Sequence, residues 1–271
     1  MIGLLSAALL AGSSPTDCSS LNGTAALLDQ PQQVIVVGEF HGTVEAPAAF
    51  LGVVCEAAQR GPVTVGLEMS ETDRPLFDQF MRSADEATAT RVLRYGDFGR
   101  ADRDDGRHSQ AMMDMLLGFW RLRAEGHDIA LHPFQPLMSS IHGRDQGWRE
   151  LEMAYGMSRA LVVRPNARLL ILVGDLHARK TPFAPWPEVG LPAAGHLHGT
   201  DTLTLHMAQQ GGERWGCDQD GCGRETMRGV YDPAARGIIL TPVSDGAYDG
   251  VLAVGTITAS PPAALSTPPP T

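Results

Sequence analysis

Hydrophobic and polar positions along this chain alternate between short unbroken apolar runs and longer stretches with helical spacing. Val34-Ile35-Val36-Val37 and Leu169-Leu170-Ile171-Leu172-Val173 have no polar interruption, the pattern of strands buried on both faces. Val63-Thr64-Val65-Gly66-Leu67 and Ile129-Ala130-Leu131-His132 add two more strands, the latter expected to stop at Pro133. Between them, Ala46, Phe50, Val53, Val54 and Ala57 recur at helical spacing up to Arg60, with Thr43 as the expected N-cap. Further helices are predicted from Ser70 to about Arg82, over Asp85–Arg94, over Gln110–Ala124 and over Trp148–Val163. From Asp201 onward the character is β, with an alternating Thr202–Met207 followed by Gly237–Leu240 and Gly250–Thr256. This order predicts an α/β fold, a Rossmann-like mixed sheet with helices on both faces and a β-rich C-terminal part.

Composition sets the bounds. A chain of 271 residues, 43% hydrophobic and 19% charged, suits one α/β domain, placed at 23–257. Ser260 to Thr271 is Pro-rich, so 258–271 is expected to be a disordered tail. The apolar run from Ile2 to Ala11 falls short of the roughly 20 residues a membrane span needs. It fits the apolar region of a signal peptide over 1–14, with Ala11-Gly12-Ser13 as the small residues of a cleavage site. The mature chain is then exported, periplasmic or extracellular, with no transmembrane span. A net charge of −10 without a dense Lys/Arg cluster argues against nucleic acid and anionic membranes as partners. Cys217 and Cys222 lie in a polar Gly-rich loop that a disulfide would staple, and two thiols are too few for structural zinc. Cys18 and Cys55 form either a second bridge or leave Cys55 as a buried thiol.

Candidate chemistry gathers at strand ends. The first run leads into Gly38-Glu39-Phe40-His41-Gly42, and the later one into Gly174-Asp175-Leu176-His177. Each brings a carboxylate and a histidine to the carboxyl end of a buried strand, where open α/β sheets hold ligands. Glu68 ends the strand Val63–Leu67 in the same way. His41 precedes a helix, whose positive end would favour a neutral imidazole. Glu39, His41, Glu68 and His177 are therefore candidates for activating water. With Asp175, the same residues could instead hold one divalent metal with an open position for water. His132 could border the cleft. The charged stretch Gly99–His108 reads as a solvated loop or a lid over the site.

These motifs resemble the superfamily that joins erythromycin esterase-like, ChaN-like haem-uptake and Tiki (TraB, GumN) proteins. The resemblance rests on Gly38-Glu39-Phe40-His41-Gly42-Thr43, Gly66-Leu67-Glu68-Met69, Gly174-Asp175-Leu176-His177-Ala178 and the stretch Arg149-Glu150-Leu151-Glu152-Met153-Ala154. It implies an active site at the carboxyl ends of the strands. It also implies hydrolysis of a peptide or an ester bond in a peptide or small-molecule substrate, by residues at the positions of Glu39, His41, Glu68 and His177. The alternative it implies is a haem- or metal-binding uptake protein without turnover. The chain departs from erythromycin esterases by having one residue fewer between Glu39 and His41. It departs from ChaN-like proteins by lacking a lipid-anchor motif.

Overall fold

Unbroken apolar runs become central strands because helices cover the sheet on both sides. The computed structural model describes residues 18, 21–102, 105–137, 145–197, 201–218, 221–229, 232, 234–244 and 246–265. The expected signal segment 1–14 lies outside these residues. Strands β1 (Val34–Glu39), β2 (Val63–Ser70), β3 (Ile129–Gln135), β4 (Arg168–Gly174), β5 (Thr202–Asp218), β6 (Gly221–Arg228), β7 (Gly237–Ile239) and β8 (Gly250–Ile257) form one mixed sheet. Its order is β3-β2-β4-β1-β5-β8-β7, with β6 paired to the far end of β5. Strands β1 to β5 and β8 pair in parallel, while β6 and β7 are antiparallel to their neighbours.

The helices are α1 (Thr24–Leu28), α2 (Glu45–Arg60), α3 (Arg74–Met81), α4 (Glu86–Tyr95), α5 (Gln110–Ala124) and α6 (Gln146–Val163). Successive strand side chains point to opposite faces, so each buried run feeds two cores. Ile35, Val37, Leu170 and Leu172 pack with Phe50 and Val53 of α2 and Phe119 of α5. Val34, Val36, Leu169, Ile171 and Val173 meet Met153, Ala154 and Met157 of α6 on the other side. Among the described residues, no helix is long and apolar enough to cross a membrane.

Four details differ from the sequence expectations. Strand β3 runs through Pro133 to Gln135. It is the outermost strand of the sheet, where a missing N–H leaves no ladder bond unmade. Thr43 is not the cap of α2. Val44 occupies that position without a side-chain bond, and Thr43 bridges to Ala259. The returning chain serves the helix start instead: Val44 N–H donates to the Thr258 carbonyl at 2.9 Å, and Thr258 N–H donates to Glu45 at 2.8 Å. The beginning of the expected loose tail is packed for the same reason. Ser260 is 2% exposed and its Oγ accepts from Ala111 N–H, while the Pro261 carbonyl accepts from Gln110 N–H. These bonds satisfy donors at the start of α5 that the helix itself cannot. Finally, β5 continues well past Met207 into a two-stranded ribbon with β6, where a loop was expected.

That ribbon places Cys217 directly opposite Cys222, and the two are disulfide-bonded with Cα atoms 3.9 Å apart. A second disulfide joins Cys18 to Cys55 of α2, with Cα atoms 5.5 Å apart. The sequence separations are 5 and 37 residues. Loop-closure entropy then gives the Cys18–Cys55 bridge roughly 4 kcal/mol and the ribbon bridge roughly 2 kcal/mol. Equilibrium denaturation of the two double Cys→Ser variants checks this. The Cys18/Cys55 pair should lose more stability, and the reverse order would overturn the assignment.

Candidate functional site

Register brings the two Gly-acid-x-His turns together. In the parallel pairing of β1 with β4, Gly38 lies opposite Val173 and Glu39 opposite Gly174. Both turns therefore leave the same edge of the sheet at the same height. On the other side of β4, Leu67 of β2 lies opposite Leu172, so Glu68 arrives at that edge as well. The His41 Nδ1 meets Glu39 Oε1 at 2.7 Å, and its Nε2 lies 3.4 Å from Glu68 Oε2. The His177 Nδ1 meets Glu150 Oε1 at 2.7 Å, and its Nε2 lies 3.8 Å from Glu68 Oε1. Each imidazole thus has its own carboxylate behind it and the shared Glu68 in front.

Gly174 marks the point of convergence. A Cβ there would lie 3.2 Å from Glu68 Oε2, 3.2 Å from His41 Nε2 and 3.3 Å from His177 Cδ2. Its N–H donates to Glu68 Oε2 at 2.8 Å. Glu68 Oε1 also takes Arg107 at 3.1 Å and Arg149 at 3.4 Å. The Gln135 amide, oriented with its oxygen toward the two guanidiniums, accepts from Arg107 and Arg149 as well. Burial alone would push the Glu68 carboxyl up, but His177, His41 and Arg107 outweigh it and hold it well below the ordinary carboxylate range. Burial likewise works against a charge on His41, yet Glu39 and Glu68 raise its pKa from 6.5 to about 10. The sequence expectation of a neutral His41 is therefore corrected: two adjacent carboxylates outweigh the end of a helix.

Asp175 belongs to a different group. Its Oδ1 meets His206 Nδ1 at 2.8 Å, and its Oδ2 accepts from the Tyr248 hydroxyl at 2.9 Å. A cleft of about 640 Å³ opens in front of all three histidine–carboxylate pairs. Glu39, His41, Asp175, His177 and His206 line it, together with Arg179, Phe183, Trp186, Tyr248 and Arg214 and Met227 of the ribbon. His132 takes no part. It is 3% exposed, bonds the Gly156 carbonyl and Arg74, and burial lowers its pKa to about 4. The charged stretch after Gly99 does reach the site, through Arg107. Sequence reasoning missed Glu150, His206, Tyr248 and Arg107 as parts of the site. Two of them left a trace, Glu150 as an acid within the recognised Arg149–Ala154 stretch and Arg107 within the charged stretch Gly99–His108.

No family model matches the chain, and no curated protein matches it in sequence. Solved structures do match. A succinoglycan biosynthesis protein aligns over 89% of this chain and 91% of its own, with a TM-score of 0.61 at 8% identity. A Bacillus cereus protein aligns over 84% and 90%, with a TM-score of 0.56 at 9% identity. A mutant of the erythromycin esterase EreC in its open conformation aligns over 87% and 93%, with a TM-score of 0.55 at 10% identity. The chain is similar in fold to the esterase EreC. This EreC-like sheet carries the candidate residues at the carboxyl ends of β1, β2 and β4, on the edge that the sequence motifs indicated.

The arrangement does not fit the expected divalent metal. Asp175 is taken by His206 and Tyr248, and Glu68, the carboxylate before both Nε2 atoms, faces two guanidiniums where a cation would sit. Among the described residues, no three His, Cys, Asp or Glu side chains are grouped to hold a metal ion. Haem, the alternative expected from the sequence, would have to be held through His206, whose Nδ1 is on Asp175, since His41 and His177 turn Nε2 toward Glu68.

Two measurements test the electrostatics. Histidine NMR should show His41 as an imidazolium until the pH nears 10, and Glu39→Gln should bring its titration down toward 6.5. Because the folded value is the higher one, the stability this contributes is complete below pH 6.5 and fades as pH rises through about 10. Gly174→Ala should keep the fold, since its φ of −52° and ψ of 137° suit any residue. It should instead shift the His41 and His177 ring resonances, and unshifted rings would contradict the convergence.

Proposed function

We propose that this chain is an exported hydrolase of ester or peptide bonds that activates water without a metal. The observation that carries this reading is the sharing of Glu68 by two imidazoles, each fixed through Nδ1 by its own carboxylate. The similarity in fold to an esterase supports the reaction class, and the two disulfides support an oxidising compartment.

The shared Glu68 stands closer to His41 Nε2, at 3.4 Å, than to His177 Nε2, at 3.8 Å, and we assign the acid to His41 and the base to His177. His41 lies between two carboxylates and is held as the imidazolium, so its Nε2–H can be given to a leaving group. His177 also has two carboxylates, Glu68 3.8 Å from Nε2 and, on Nδ1, Glu150, which is 0% exposed and also accepts from Ala193 N–H at 2.8 Å. In the form that carries its single proton on Nδ1, toward Glu150, His177 presents the Nε2 lone pair to a water molecule. Water then adds to the carbonyl carbon as its proton passes to His177. The bond to the leaving oxygen or nitrogen breaks as that atom takes the proton from His41. Proton return from His177 to His41 across Glu68 resets the site. Arg107 and Arg149 keep Glu68 in place throughout.

Kinetics on a panel of esters and peptides tests this assignment. His41→Ala and His177→Ala should each lower kcat/KM by about 10²-fold or more. Glu150→Gln, which frees the His177 tautomer, should lower kcat at near-constant KM. Unchanged turnover in both histidine variants, or no turnover of any substrate together with a Soret band on adding haem, would overturn it in favour of a binding protein.

A further inference from the structure

We infer that the cleft contains a carboxylate-binding subsite in which Arg179, seated between Phe183 and Tyr248, holds an anionic group of an apolar ligand beside the paired imidazoles. Calling that ligand a substrate rests on the hydrolase reading. The subsite itself rests on the surroundings of Arg179.

Arg179 follows the turn Asp175–Ala178 that carries His177, two positions beyond that histidine. It is half-buried in the cleft wall. Its Cζ lies 4.9 Å from the Phe183 ring centre and 5.5 Å from that of Tyr248. Stacking of this kind fixes the guanidinium plane and leaves the fork of N–H donors at its edge free for a planar acceptor. Among the described residues Arg179 forms no ion pair; its Nε reaches the Thr181 carbonyl at 3.4 Å, and its guanidinium also reaches the Tyr248 hydroxyl. The other cations of the site are spent. Arg214 is paired with Glu225 at 2.7 Å, and Arg107 and Arg149 are on Glu68. Arg179 is thus the cleft cation with donors to spare.

The platform beneath it is rigid. The Tyr248 hydroxyl donates to both Asp175 Oδ2 and the Asp175 carbonyl at 2.9 Å, and the His206 ring packs on Tyr248 with centres 5.1 Å apart. Little ordering is therefore left for a ligand to impose. Phe183 and Trp186, in edge contact at 5.7 Å, form an apolar wall next to the guanidinium. A ligand that matches carries one carboxylate on an apolar or aromatic group. A dianionic phosphate is disfavoured because Glu39 and Asp175 line the same cleft. With a net charge of −10 over the whole chain, only a local cation can hold an anion there.

Calorimetric titration of the full chain at neutral pH tests the inference with three simple probes: 3-phenylpropionate, its uncharged amide and phenyl phosphate. The carboxylate should bind about tenfold more tightly than the amide, as a charge-assisted pair to a free guanidinium provides. Arg179→Gln should abolish that preference while leaving the amide's Kd unchanged. Arg179→Lys, which keeps the charge and loses the planar fork, should retain only part of it, and serves alone if the glutamine variant does not fold. Equal binding of acid and amide, a preference that survives in either variant at full size, or tighter binding of phenyl phosphate overturns the subsite. His41→Ala separates this from the hydrolase reading. It should leave the carboxylate preference intact while lowering turnover; in the unmutated chain, preference without any turnover sinks the hydrolase alone, and turnover without preference sinks the subsite alone.

Discussion

Glu68 is a carboxylate taken almost wholly out of water, and the arrangement around it follows from what that burial demands. An unpartnered charge at 5% exposure would cost several kcal/mol, so the fold has to bring donors to it. They come from elements that have no other reason to meet: the Gly174 N–H from the end of β4, Arg107 from the stretch before α5, and Arg149 from α6. His41 and His177 complete the ring from the turns after β1 and β4. The same partners that make burial tolerable also set the chemistry. They hold Glu68 ionised, and Glu68 in turn helps to hold His41 protonated.

Much of this was legible because the motif is tied to sheet geometry. An unbroken apolar strand followed by Gly-acid-x-His can place its histidine only at the strand's carboxyl end. Two such strands share a site when they are neighbours in register, as Glu39 and Gly174 are. The sequence could not state that adjacency, since β1 and β4 are distant in the chain, but the repetition of the motif hinted at it. The acid in each motif, however, plays a different part. Glu39 serves its own His41, whereas Asp175 turns away to His206 and Tyr248, and His177 takes Glu150 from α6. A local pattern shows which residues reach the edge. It does not show which partner a side chain will choose once several elements converge.

The residues that escaped notice share one property: their partners are far away in sequence. His206 sits in the alternating Thr202–Met207 and reads as a half-buried strand residue, and Tyr248 lies in no predicted element. The missed details of the fold have the same origin. Thr43 has the right residue type for a cap, yet Thr258, returning from the end of β8, takes the backbone donor at that helix start. Ser260 to Leu265 has the composition of a tail, yet it finds the unsatisfied amides at the start of α5. Local propensity loses where the end of the chain supplies a better acceptor.

The turn that carries His41 is where these long-range contacts meet. The Gly42 carbonyl accepts from both Trp215 N–H of the ribbon and Ser260 N–H of the C-terminal segment, each at 2.8 Å. Gly42 has a φ of +77°, and a Cβ there would come within 2.0 Å of the Trp215 carbonyl oxygen. No side chain fits that position unless the ribbon moves away. The Cys217–Cys222 bridge closes the tip of the same ribbon, whose Arg214 and Met227 line the cleft. Fixing the ribbon therefore fixes one cleft wall and the backbone directly after His41 together. A disulfide on an exposed hairpin and an imidazole at the centre of the site are thus linked through a single glycine carbonyl. The glycine that follows His41 in the sequence motif is there because the backbone, not a side chain, makes that link.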